Sequence, residues 1–172
     1  MKTYYKIGIA FAFLLVNGCG QSNGDLKTNI YDNDFETIGY WTEDRGVVRE
    51  AAHSGYFCTY TDTTHPYSQT LILSGKDIKN KEFKSIKAKV WVMSNHRDAK
   101  AKFVLSLEKD GKNVFWEGIE TQRNMREVNK WVDVSLKIDL KEKISDDITI
   151  KLYGLNDGGR RVYWDDFHLT LE

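Results

Sequence analysis

Proline occurs once, at Pro66, and cysteine twice, at Cys19 and Cys58, in a chain of 172 residues. A single proline excludes a proline-rich rod or spacer, and two cysteines cannot build the bridge framework of a small disulfide scaffold. Charge of one sign is missing as well. With 25 Lys plus Arg against 25 Asp plus Glu, bulk electrostatics select no nucleic acid as a partner. The four histidines, His53, His65, His96 and His168, are scattered, and no pair has the spacing that places two metal ligands on one helical face. Leu73-Ser74-Gly75-Lys76 lacks the glycine loop of a phosphate cradle, and no Gly-x-Ser-x-Gly nucleophile elbow occurs. Nucleotide and serine-hydrolase chemistry therefore have no signal, and the chain is read as noncatalytic.

The apolar run Ile7 to Val16 is too short for a permanent membrane span. It follows Lys2 and Lys6, and together they read as a signal peptide over residues 1–18. Val16-Asn17-Gly18-Cys19 resembles a bacterial lipobox, which implies lipidation of Cys19 and a membrane anchor. Residues 19–28 are small and polar and read as a flexible tether, with the folded domain at 29–172. Loss of Lys2 and Lys6 leaves 23 basic against 25 acidic groups, which gives no adhesion to anionic lipid. Cys58 would then be the remaining thiol and is expected in the core. The expected location is the bacterial cell envelope, anchored by lipid, with the outer membrane favoured.

Aromatics are plentiful, with five Trp, nine Tyr and eight Phe, and most of the chain alternates with the period of two that marks half-buried strands. Ile86, Ala88, Val90 and Val92 share one face; so do Phe103, Leu105 and Leu107; Val132, Val134, Leu136 and Ile138; and Ile148, Ile150 and Leu152. Turn signals separate these runs. Asp110-Gly111 is the best hairpin, and Leu155 to Arg161 reads as a second hairpin leading into a last strand that ends at Leu171. The stretches 76–84 and 121–129 are polar connections with room for a short helical turn. Short strands at this spacing predict an all-β sandwich without a second domain.

Four landmarks sharpen that expectation: Asn33-Asp34-Phe35-Glu36, Gly39-Tyr40-Trp41, Ala52-His53-Ser54-Gly55 and Trp164-Asp165-Asp166-Phe167-His168-Leu169. Their order and spacing resemble the galactose-binding-like jelly rolls, and among these the calcium-containing carbohydrate-binding modules. The resemblance covers Asn33 to Leu171. It implies a jelly-roll β-sandwich, a polysaccharide or glycan ligand, and a structural calcium held by Glu36, the carbonyl of Gly55 or Tyr56, and Asp165 or Asp166. Hard oxygen ligands from distant strands suit calcium and would couple metal to folding. The alternative for the same residues is that Glu36 and the Asp pair accept backbone hydrogen bonds.

Modules of this kind stack sugar rings on exposed aromatics and hydrogen-bond the hydroxyl rim. By strand parity Trp91, Trp131 and Tyr153 point away from the aliphatic rows, while Trp116 sits in an ambiguous pair with Phe115. Trp131 and Trp41 match structural tryptophans of the resembling family. The candidate ligand-binding residues are therefore Trp91, Trp116 and Tyr153, with Gln122 and Arg123 as polar partners and Glu108, Glu117 and Asn124 nearby. A protein-interaction module of an envelope complex is the rival reading, since fold does not set function. A jelly-roll glycosidase or lyase using Glu117 with Glu120 or Glu108 is the remaining one.

Overall fold

The structure is a computed structural model that describes residues 29–37 and 46–172. The expected signal peptide, the tether, Cys19 and the Gly39-Tyr40-Trp41 landmark lie outside the described residues. Among the described residues ten strands form: β1 (Asn29–Asn33), β2 (Val47–Val48), β3 (Cys58–Thr61), β4 (Leu71–Ser74), β5 (Ser85–Met93), β6 (Ala101–Lys109), β7 (Lys112–Glu120), β8 (Val132–Asp139), β9 (Ile148–Asn156) and β10 (Val162–Leu171). They pair antiparallel in two sheets. Sheet A runs β2-β3-β10-β5-β8, with β1 also paired to β10, and sheet B runs β4-β9-β6-β7. This is the all-β sandwich that the strand pattern predicts, with the jelly-roll architecture that the resemblance implies.

The core lies between the sheets, where the predicted rows meet. Ile86, Ala88, Val90 and Val92 of β5 and Val134, Leu136 and Ile138 of β8 face Phe103 and Leu105 of β6 and Ile150 and Leu152 of β9. Each such side chain taken out of water contributes about 1.5–3 kcal/mol. Trp164 of β10 is fully buried at the centre, and its indole N–H donates to Thr61 Oγ1 at 2.9 Å. Its ring lies on the backbone of Gly154, where a Cβ would stand 2.4 Å from Cε2. Only glycine lets β9 pass beneath it. Cys58 is buried as expected, beside Met93 and Tyr163. Burial pushes its thiol up to about 12, with the charges of Asp165 and Glu50 adding to that and a backbone hydrogen bond from Ala51 opposing it.

The Asp110-Gly111 turn joins β6 to β7 with φ of 51° and 72°, the mirror-image geometry that two-residue hairpins need. The second predicted hairpin is not one. Residues 157–161 carry the chain from sheet B across to sheet A, because β9 already has β4 on one side and β6 on the other. The turn signal there belongs to Asn156. Its Oδ1 accepts the N–H of Gly158 and Gly159, and its Nδ2 donates to the carbonyls of Arg160 and Thr61. Short 3-10 turns stand at Gly75–Asp77 and Thr121–Arg123, where the sequence leaves room for them.

Candidate functional site: two outer faces

Both sheets turn an outer face to solvent, and the chain treats the two differently. On sheet A, β10 breaks step with β5 between Asp165 and His168, with Asp166 at φ 47°. The bulge lets Trp164 and Phe167 both face the core while Asp165 points outward. Asp165 is nevertheless fully buried, because the 53–57 turn lies over it. Its Oδ2 accepts the N–H of His53 at 2.7 Å and of Ser54 at 3.2 Å, and its Oδ1 accepts the N–H of Asp166 at 2.8 Å. Asp166 in turn takes the Ser54 hydroxyl at 2.6 Å and His53 Nδ1 at 2.5 Å. From the other side Glu36 Oε1 accepts the N–H of Tyr56 at 2.6 Å and of Phe57 at 2.8 Å. Gly55, at φ 58°, passes so close to Glu36 that a Cβ would meet its carboxylate at 2.4 Å. Burial raises the Asp165 carboxyl to about 6 against the pull of three N–H donors, and the Asp166 charge adds to the rise.

The residues nominated for calcium thus converge on one turn, but as acceptors for its amides. Five N–H groups, from His53, Ser54, Tyr56, Phe57 and Asp166, aim their positive ends at these carboxylates. That field favours the anionic form of these side chains. Among the described residues no group of three or more His, Cys, Asp or Glu has the arrangement of a metal site.

The same turn covers Trp91. The imidazole of His53 stacks on the indole at 3.9 Å and 14°, the edge of Trp131 meets His53 at 5.7 Å, and the Lys89 ammonium lies 5.3 Å from the Trp91 ring. Parity places Trp91 outward as expected, yet its ring is already stacked. Trp91 is half-buried and, with Asp32, Asp34, Lys89, Asp166 and His168, lines a cavity of about 700 Å³ in which His168 is paired to Asp32.

Sheet B is open on its outer face. Trp116 points out and Phe115 in, which resolves the ambiguous pair. Trp116 lies down along β7 because Gly118 offers no Cβ; one placed there would stand 2.5 Å from ring Cη2. Its Nε1 donates to the Tyr153 hydroxyl at 3.3 Å, and Tyr67 meets Tyr153 edge-on at 5.8 Å. Val104, between Tyr153 and Gly118 in the ladder, is fully buried on this solvent side of the sheet. Trp116 and Tyr67 keep 44% and 57% of their surface in water, enough to offer a ring face. Next to this strip runs a polar row. Lys151 of β9 and Glu108 of β6 pair at 2.7 Å, and a groove of about 350 Å³ lies among Tyr67, Thr70, Ile72, Glu108, Asn113, Lys151 and Tyr153.

Of the predicted ligand-binding residues, Trp116 and Tyr153 come together, whereas Trp91 stands on the opposite sheet. Gln122 and Arg123 sit exposed in the 3-10 turn after β7, and no hydrogen bond or ion pair ties their side chains to the two rings. Sequence reasoning passed over Tyr67 and Lys151. The parity that turns Tyr153 outward turns Lys151 outward too, so Lys151 was within reach; Tyr67 precedes β4 in a stretch without period.

No model of a protein family matches the chain, and no curated protein matches it. Solved structures do match. The CBM22-1 xylan-binding domain of Paenibacillus barcinonensis Xyn10C aligns with TM-score 0.56 at 19% identity, over 83% of this chain and 94% of that domain. The CBM22-2 xylan-binding domain of the same protein gives 0.58 at 16%, over 83% and 99%. The C-terminal family 22 carbohydrate-binding module of Clostridium thermocellum Xyn10B gives 0.56 at 14%, over 82% and 91%. At these identities the likeness establishes the jelly-roll fold, and the neighbours it brings are carbohydrate-binding modules.

Proposed function

We propose that the chain is a noncatalytic, lipid-anchored module of a bacterial cell envelope that binds a polysaccharide or glycan on the outer face of sheet B. The observation that carries this reading is the Tyr67, Tyr153 and Trp116 strip, partly exposed and bordered by the Glu108–Lys151 pair. A pyranose presents a C–H face and a hydroxyl rim, and an aromatic strip beside a polar row answers both. Neighbours of the same fold that bind xylan add support.

Trp fluorescence of the protein, titrated with soluble plant, algal and host glycans, tests the reading. A saturable change that Trp116→Ala removes and Trp91→Ala leaves in place is expected, since the Trp91 ring is already stacked. Binding that depends on Trp91 but not on Trp116 would place the ligand on sheet A and defeat the proposal. Anchoring through Cys19 is tested by fatty-acid labelling of the wild type and the Cys19→Ser variant in cells. The reading keeps a structural calcium ion held by Glu36, the carbonyl of Gly55 or Tyr56, and Asp165 or Asp166, carboxylates that converge on the 53–57 turn. A rise in melting temperature in calcium over chelator is expected, and no change would remove the ion from the proposal.

A further inference from the structure

Both lysines that point out of β6 and β9 on this face are held by carboxylates: Lys151 by Glu108 at 2.7 Å and Lys102 by Asp157 at 2.5 Å. Within the groove the charges are one acid and one base, and they neutralise each other. Lys151 and Glu108 are only 29% and 21% exposed, so their attraction is less screened than that of a surface pair. Beneath them, Ser106 stands between Lys151 and Trp116 in the ladder. It is 1% exposed, and its hydroxyl has no hydrogen-bond partner among the described residues. A buried hydroxyl without a partner costs stability.

We propose that Glu108 is a specificity-determining residue that masks Lys151, so that the groove takes uncharged sugars and rejects uronate-bearing chains. This rests on the reading of the sheet B face as a glycan site. A neutral sugar leaves the pair intact: the carboxylate accepts from one hydroxyl and the ammonium donates to the next. A sugar carboxylate must displace Glu108 from Lys151 and then sit beside the displaced charge. Glu108→Gln removes that penalty while keeping the shape, and the freed ammonium becomes a receptor for a uronate.

Native gel electrophoresis of the full chain in gels containing neutral xylan, neutral mixed-linkage glucan or polygalacturonate tests this, with melting temperatures as a folding control. The wild type is expected to be retarded by a neutral polymer and not by polygalacturonate. Glu108→Gln, with Glu108→Ala as the second variant, is expected to gain about tenfold or more in apparent affinity for polygalacturonate at low salt, and to lose the gain at high salt. Lys151→Met and the Glu108→Gln/Trp116→Ala double variant are expected to show no gain. If the wild type binds a neutral polymer through Trp116 while both Glu108 variants ignore polygalacturonate, masking is overturned and the glycan site survives. Equal retardation of wild type and Glu108→Gln by polygalacturonate overturns it as well. If no polymer retards any form, both readings fail. A gain in Glu108→Gln that Trp116→Ala reverses upholds both, even where no neutral polymer in the gels is bound.

Discussion

Replacing Asp165 by Asn changes one oxygen for an amino group and asks what a buried carboxylate under a turn contributes. In the wild type both oxygens accept backbone N–H groups: Oδ2 from His53 and Ser54, Oδ1 from Asp166. The amide serves best with its oxygen toward His53 and Ser54, which sets its amino group against the Asp166 N–H. One charge-assisted hydrogen bond is lost and two donors face each other, a cost of about 2–3 kcal/mol. Against that stands the relief of a buried charge. Burial raises the Asp165 carboxyl from 3.8 to about 6, so the folded protein binds its proton more tightly than the unfolded chain does. The stabilisation from protonation is complete below about pH 3.8 and is lost as pH rises through about 6. At 1.36 kcal/mol per unit this is worth about 2–3 kcal/mol between pH 4 and pH 7. Relative to Asp165→Asn, the wild type is therefore expected to gain about 2–3 kcal/mol as the pH falls from 7 to 4. Urea unfolding of both proteins across that range measures the difference. Asp62 gives an opposing slope. Its carboxyl is held below the usual range because hydrogen bonds from Thr64, His65 and Arg161 outweigh the effect of burial. Asp62 is common to both proteins, so its contribution drops out of the comparison. A difference independent of pH, or one that grows toward pH 7, would refute the reasoning, because Asp165 would then be held ionised by its three donors.

Two further predictions concern packing. Gly154→Ala drives a methyl group to 2.4 Å from Trp164 Cε2, against a ring that is fully buried and fixed to Thr61. It is expected to cost about 3 kcal/mol and lower Tm by roughly 10 °C; pairing it with Trp164→Phe in a thermal melt should recover part of the loss, and simple additivity would refute the stated contact. Cys58, fully buried with its thiol raised to about 12, is expected to resist a thiol reagent at pH 8 until denaturant is added, as a colorimetric thiol titration would read.

Period-two patterning was enough to find β5, β6, β8 and β9 with their inward rows, because strands buried on one face repeat their burial directly in the residue order. What it could not reach is which strand lies beside which. The Asn156 turn has hairpin chemistry, but its sheet crossing is set by β9 having partners on both edges, a property of strands far away in the chain. The bulge at Asp166 likewise escapes local reading, since it appears only as a slip in register against β5. Trp91 and Trp116 show the limit for the site itself. Trp91 is outward by parity and Trp116 stands in an ambiguous pair with Phe115, and nothing in the flanking residues tells which ring is stacked by its own protein.

The difference between those two tryptophans is made by the 53–57 turn. The carboxylates of Asp165, Asp166 and Glu36 bind that turn through its amides and through His53 and Ser54, and the bound turn lays His53 on Trp91. Trp116 meets no such cover; its neighbours are Gly118 below and Tyr153 beside it, and part of its ring remains in water. A ring laid flat on a glycine and fixed through its N–H is held in position in advance at small entropic cost. The landmarks with which the sequence resembles a carbohydrate-binding family, His53-Ser54-Gly55 and Asp165-Asp166, build the turn on sheet A. They lay His53 on one face of Trp91, and the proposed glycan strip is made of residues the landmarks do not include: Tyr67, Glu108, Trp116, Lys151 and Tyr153.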